Sequence, residues 1–319
     1  MSVLITGAAV FAGSHLIDLF AADGVETTAW HRPGGSAPAA RPGVTWEAVD
    51  LLDRAQVEAA VTRRPPAAVY HCAGEAHVGR AWDHTASTFA INVRGTHFLI
   101  DALRTAGRRV PMFVPSSAMT YRPADVPLTE SHPQVPASPY GVSKLAQELL
   151  AVRAVSDGVD ACIARAFNHV GPRQDPSFAA SGFAKQIAEM ESGVRAPEIV
   201  VGNLQARREI TDVRDTVRAY RAILERGRPG RPYNVCSGQA IPIAEVVDRL
   251  VAQARVRVTV RVDPARFRPN DLPLVQGDPT RVREELGWTP HIPLDDTLRT
   301  LLDYWRSVIF RPQRSEPGP

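Results

Sequence analysis

The segment Val3-Leu4-Ile5-Thr6-Gly7-Ala8-Ala9-Val10-Phe11-Ala12-Gly13 constrains the fold of this chain more than any other. A short apolar run enters a glycine-bearing turn, and the turn opens a helix. The alternation continues downstream. Strands are predicted over residues 2–6, 27–30, 69–73, 112–115 and 161–167, and helices over 12–22, 54–62, 84–105 and 140–155. Strands that alternate with helices over short connections form a parallel sheet covered on both faces. The expected fold is therefore α/β and doubly wound. The second half is less regular, with proline-rich turns at 228–232 and 268–273, and reads as a smaller mixed α/β domain capping the sheet. The expected division is 1–166 plus 206–238 for a nucleotide-binding domain and 167–205 plus 239–310 for a substrate domain, with 311–319 a disordered tail.

Composition narrows the function classes. The chain has 319 residues, 44% of them hydrophobic and 22% charged, as expected of a globular protein with a substantial core. A net charge of +3, with no basic stretch interleaved with aromatics, argues against nucleic acid as a partner. No apolar run approaches the ~18 residues of a membrane span. Cys72, Cys162 and Cys236 are odd in number and lie in strand-like runs, so they read as core thiols. With no secretory signal pattern, the expected location is the cytoplasm. No HxH, HExxH or CxxC spacing suggests a metal, and no G-x-S-x-G elbow suggests a serine hydrolase.

A glycine-rich turn between strand and helix can place a pyrophosphate at the helix N-terminus. Gly7, Phe11, Ala12 and Gly13 are the expected phosphate-side residues. Val10 stands where a middle glycine is usual, and its Cβ is expected to hold the backbone away from a ligand. His31-Arg32 follows the second strand in place of an acid. An acid there would accept ribose hydroxyls, whereas Arg32 suits a 2′-phosphate, so NADP(H) is expected, with NAD(H) as the alternative. Asp50-Leu51 is placed to receive an adenine amino group, and Cys72-Ala73-Gly74 ends a strand with residues small enough for close approach.

Tyr140-Gly141-Val142-Ser143-Lys144 puts a phenol and an ammonium on one helix face, with Ser138 and Pro139 as N-cap and first-turn residues. A nearby cation lowers a tyrosine pKa from ~10, which would allow Tyr140 to exchange a proton with a carbonyl oxygen. Ser117, at a strand end in Ser116-Ser117-Ala118, can hydrogen-bond the same oxygen. Of 37 basic residues only Lys144 and Lys185 are lysines, so each is a candidate for a task that a guanidinium cannot perform.

From about Ser2 to Tyr304 the chain resembles the extended short-chain dehydrogenase/reductase superfamily, which implies a Rossmann sheet. The resemblance makes Ser117, Tyr140 and Lys144 a catalytic triad, with Tyr140 and Lys144 also at the nicotinamide end, and it matches Asn92 in Asn92-Val93-Arg94-Gly95-Thr96. Further segments are similar to the GDP-mannose branch: 165–174 with Asn168, 183–187 with Lys185, 201–204 with Asn203, 208–215 with Arg208, and 233–238. That resemblance implies that Asn168, Lys185, Asn203, Arg208 and Arg268 grip a nucleotide-sugar diphosphate, and that the chain forms a homodimer. Glu209-Ile210 departs from the branch's Asp-Phe and is expected to reshape the pocket edge. The branch contains 4,6-dehydratases and 4-keto-6-deoxy-mannose reductases. A dehydratase needs a glutamate just after the catalytic hydroxyl residue, whereas Ser117 is followed by Ala118 and Met119. The resemblance therefore implies NADPH-dependent reduction of the C4 ketone of a GDP-4-keto-6-deoxy-hexose, giving a GDP-6-deoxyhexose such as GDP-rhamnose. A nucleotide-sugar 4-epimerase, a 4,6-dehydratase and a non-catalytic dinucleotide sensor stay open as alternatives.

Overall fold

A computed structural model describes residues 2–35, 39–107, 109–267 and 272–310. Seven parallel strands form the central sheet. Six of them are β1 (Val3–Thr6), β2 (Thr27–His31), β3 (Val44–Ala48), β4 (Ala68–His71), β5 (Val110–Ser117) and β6 (Val159–Ala166), and the seventh is Pro232–Val235. Their spatial order is β3-β2-β1-β4-β5-β6 followed by Pro232–Val235. The order reverses at β1, where Thr6 pairs with Trp30 on one side and His71 on the other. The carboxyl ends of β1 and β4 thus open a crevice where the chain winds in opposite directions, the place where doubly wound sheets bind ligands.

Two apolar layers cover the sheet. Leu4, Val57, Leu99, Leu103 and Met112 fill one, and Ile5, Leu16, Phe20, Phe113 and Tyr220 fill the other. A third cluster, around Ile187, Val201, Leu250, Leu301 and Trp305, joins the helices Ala179–Glu191, Ile243–Ala252 and Leu294–Ile309 beyond the sheet's carboxyl edge. Short strands link the two regions, including the three-stranded sheet of Ala240–Pro242, Arg207–Glu209 and Leu274–Val275.

Three features depart from the sequence-based expectation, one of them the edge strand Pro232–Val235, which lies outside the predicted strands. Strand β3 was not predicted; it is an edge strand of half-exposed Val44-Thr45-Trp46-Glu47, and lacks the apolar run of a central strand. The helix predicted over 84–105 is interrupted by a π-helical stretch, Ala90–Gly95, between Thr85–Phe89 and Thr96–Thr105. Among the described residues the three cysteines are free thiols, and no helix is long and apolar enough to cross a membrane. The 311–319 tail lies outside the described residues.

Candidate active site

The glycine turn is held by sterics. Gly7 has φ +62°, and a Cβ on it would lie 2.6 Å from the Ala73 Cα. A Cβ on Gly13 would enter the Gly7 carbonyl, so α1 (Phe11–Ala22) can approach β1 only because both positions lack side chains. Val10 fits the turn without strain. Its φ of −95° and ψ of 175° are extended backbone, it occupies the N-cap position, and its side chain is half exposed on the ligand side of the turn. The Cβ therefore costs no strain and leaves the fold of the turn unaltered. The first turn of α1 carries no acid and no side-chain cap, which leaves its positive end suited to an anion.

A cleft of about 1180 Å³ runs from this turn across the carboxyl ends of β4, β5 and β6 to the third cluster. Phe11, Ala12, Cys72, Ala73, Gly74, Ser117, Tyr140, Lys144, Asn168, Asn203 and Arg208 all line it. Residues far apart in sequence thus converge as expected. Gly7 and Gly13 lie beneath, shaping the turn. Arg32 is exposed just past β2, and Asp50 follows β3 with its carboxylate accepting from the Leu52 amide at 2.9 Å, beside buried Leu51. Lys185 does not line the cleft; its ammonium is 3.5 Å from Glu189 and 5.7 Å from the Trp305 ring centroid. Arg268 lies outside the described residues.

Ser138 accepts the Gly141 amide at 3.1 Å and Pro139 begins the helix Pro139–Val155, as the sequence implied. That helix carries the Tyr140 phenol to the cleft wall close to Ser117 at the end of β5, near enough for the serine hydroxyl to act on its titration. The expected lowering of the tyrosine pKa is not found. Burial dominates and pushes the phenol up to about 12, with the Ser117 hydroxyl opposing and the Glu75 charge adding to it. Lys144 is 6% exposed, and burial lowers its ammonium to about 8. Its Nζ donates to the Gln147 amide oxygen on its own helix.

Asn92, in the π-helical stretch, ties this region together. Its side chain accepts from the Glu75 amide at 2.8 Å and donates to the Glu75 carbonyl and to Ser143 Oγ at 3.1 and 3.0 Å. Glu209 turns away from the pocket. Fully buried, it accepts from the Ser237 hydroxyl and from the amides of Ser237, Gly238 and Gly277 and so anchors loops, while Ile210 lines the cleft. The sequence reading missed Glu75, Arg80, Arg122, Arg173 and Arg266 on the cleft wall. In a chain this rich in arginine, residue type alone could not single them out.

The sequence model of the GDP-mannose 4,6 dehydratase family matches residues 4–301. A GDP-6-deoxy-D-mannose reductase from Pseudomonas aeruginosa is 37% identical over 248 residues, covering 76% of this chain and 82% of that protein. A GDP-mannose 4,6-dehydratase from Yersinia enterocolitica is 26% identical over 280 residues, covering 77% of this chain and 75% of that protein. Among solved structures, RMD from Pseudomonas aeruginosa complexed with NADPH superposes with a TM-score of 0.84 at 32% identity, over 97% of this chain and 100% of that one. UDP-glucose 4-epimerase from Thermus thermophilus in complex with NAD gives a TM-score of 0.84 at 27% identity, over 96% and 99%. A doubly wound sheet with a nucleotide turn, a hydroxyl–phenol pair and a family match over almost its whole length place this chain in the GDP-mannose 4,6 dehydratase family.

Proposed function

We propose that this protein is a reductase that uses NADPH to convert the C4 ketone of a GDP-4-keto-6-deoxy-hexose into the alcohol of a GDP-6-deoxyhexose such as GDP-rhamnose. Ser117 and Tyr140, neighbours on the cleft wall, carry the reading, because they bring two hydroxyls to one side of the cleft while the residues after Ser117 offer no carboxylate for elimination. A relative named GDP-6-deoxy-D-mannose reductase and a neighbour complexed with NADPH support it. The glycine cradle and the acid-free helix start fit a pyrophosphate, and exposed Arg32 fits a 2′-phosphate. NADP(H) is therefore the cofactor of choice, with NAD(H) the alternative.

When bound, NADPH supplies the hydride that reaches C4. Ser117 and Tyr140 hydrogen-bond the ketone oxygen and polarise it. A phenol held near pH 12 stays protonated at working pH, so Tyr140 is poised to give its proton to the oxyanion as it forms. The Lys144 ammonium favours the negative charge that appears there. Arg208, Asn168 and Asn203 face the diphosphate, joined by Arg80, Arg173 and Arg266 on the wall. Residues 1–166 plus 206–238 carry the cofactor and 167–205 plus 239–310 the sugar nucleotide, with Arg80 and Arg208 reaching it from the first part and Val282, Leu286 and Trp288 of the second packing on the sheet.

We also assign a homodimer in the cytoplasm. Val142, Leu149 and Val152 are exposed on the Pro139–Val155 helix, next to a shallow depression lined by Phe89, Val93 and Leu150, an apolar face that a second copy would cover. The free thiols suit a reducing compartment. Product mass separates the enzymatic readings. With the keto sugar and NADPH, the sugar nucleotide is expected to gain two hydrogens. GDP-mannose losing water with NADP instead would make the protein a dehydratase, and unchanged mass with copurified NAD would make it an epimerase.

A further inference from the structure

Behind the cleft a chain of buried polar side chains leads away from Lys144. Gln147, Thr96, His71 and Thr6 are all 0% exposed, and they come from four elements: the Pro139–Val155 helix, the Thr96–Thr105 helix, β4 and β1. Gln147 Nε2 donates to Thr96 Oγ1 at 2.8 Å, His71 Nε2 lies 2.8 Å from the same oxygen, and His71 Nδ1 lies 2.7 Å from Thr6 Oγ1. The Ala73 amide donates to Thr6 Oγ1 at 3.3 Å.

Only one assignment of protons satisfies this chain. The Thr96 hydroxyl has a single proton, which it gives to the Asn92 carbonyl at 2.7 Å. Its oxygen must then accept from both neighbours. His71 therefore carries its proton on Nε2 and accepts from the Thr6 hydroxyl on Nδ1, in keeping with burial holding the imidazole neutral, its pKa down at about 3. Gln147 is likewise fixed: its amide nitrogen faces Thr96, so its oxygen faces the ammonium. The flipped amide would set a donor against Lys144 and leave its oxygen facing a hydroxyl with no proton to give.

We propose that Gln147 is a positioning residue, its orientation set by Thr96, His71 and Thr6, which pins the Lys144 ammonium beneath the site and favours its charged form. The proposal rests on Lys144 being the cation of the reductase site. One of the three ammonium donors goes to Gln147, leaving two for the cleft. The other ionisable groups facing Lys144 are Cys72 and His71 at the end of β4, and Tyr140 and Glu148 on its own helix. Burial pushes the Cys72 thiol up to about 12, His71 is neutral, and Glu148 is committed to Arg165. The Gln147 oxygen is thus the nearest group that answers the lysine charge directly.

The test needs no turnover. Because Lys144 and Lys185 are the only lysines, 13C-labelled lysine gives two Cε resonances, which Lys185→Arg assigns. In the wild type the Lys144 resonance is expected to titrate near pH 8. Gln147→Met removes the acceptor and is expected to move that midpoint down by about 1–2 units, the worth of a hydrogen bond to a charged group. Gln147→Glu supplies a carboxylate and is expected to move it up. An unselective loss of packing shifts both variants the same way, and the Lys185 resonance reports whether each retains its fold. If Gln147→Met does not fold, the upward shift in Gln147→Glu decides alone. A Lys144 midpoint unchanged in Gln147→Glu, or displaced downward in both variants, overturns the proposal. The reductase reading is tested separately by product formation, so the two fail independently.

Discussion

Glu148 and Arg165 form a buried ion pair beneath the site, 2.6 Å apart, with side chains 4% and 5% exposed. Arg165 lies on β6 and Glu148 on the Pro139–Val155 helix, so the pair clamps the helix that carries Tyr140 to the sheet that carries Ser117. Ser116 donates to Glu148 at 2.6 Å, and Arg165 also donates to the Tyr121 hydroxyl at 3.0 Å. Removing one charge strands the other. Arg165→Met is expected to cost about 3–5 kcal/mol of stability, read as a lower urea midpoint, while Arg165→Met combined with Glu148→Leu recovers most of the loss. A single variant as stable as wild type would show that the clamp contributes nothing.

The glycine turn makes a contrasting pair of expectations. Gly7→Ala forces a Cβ into Ala73 at a left-handed φ and is expected to weaken NADPH binding more than tenfold. Val10→Gly touches an exposed side chain at an unstrained N-cap, and is expected to change affinity only a few-fold. Fluorescence titration with NADPH measures both. Equal effects would mean that the turn does not approach the cofactor.

Arg32 is expected to choose the cofactor. Replacing it with Ser removes a charge-assisted contact worth ~1.5–3 kcal/mol, so affinity for NADPH falls about 10- to 100-fold and affinity for NADH barely moves. Parallel losses for both cofactors would remove Arg32 from the 2′-phosphate.

Acid should loosen the fold early. Burial lowers His15 to about 4 and His71 to about 3, against ~6.5 in the unfolded chain. Between those values the unfolded chain binds more protons than the folded one. The stability contributed by the neutral rings is therefore complete above ~6.5 and is lost as pH falls towards about 3. Urea unfolding at pH 7 and pH 5 is expected to show a drop that shrinks in His15→Asn, where the ring that donates towards the Pro172 carbonyl is gone. An identical drop in the variant would assign the acid sensitivity elsewhere.

Much of the fold was legible because local rules and tertiary need agree. Gly7 and Gly13 are where the crossing of β1 and α1 tolerates no side chain, and Ser138-Pro139 caps the helix that they appeared to start. Strand β3 escaped because Val44-Thr45-Trp46-Glu47-Ala48, although it alternates, is a short half-exposed edge strand without the apolar run of a central one. The site was legible where residues sit in one short motif, as Tyr140 and Lys144 do. It was not where chemistry depends on distant neighbours. Glu75 bears on Tyr140 only through its charge, Gln147 meets Thr96 of another helix, neither of which spacing reveals, and the tyrosine pKa follows burial, which only packing decides. Of the two lysines, Lys144 lines the cleft, whereas Lys185 faces Glu189 and Trp305.

The central claim is that Tyr140 and Ser117 complete a ketone reduction. Single-turnover loss of nicotinamide absorbance, with enzyme-bound NADPH and GDP-4-keto-6-deoxy-mannose, tests it most directly. The wild type is expected to consume NADPH and form the alcohol, and Tyr140→Phe to be slower by about 10²–10⁴-fold with NADPH affinity retained, the range for losing a general acid. A wild type that leaves the keto sugar unreduced, or a Tyr140→Phe variant that matches it, would contradict the account.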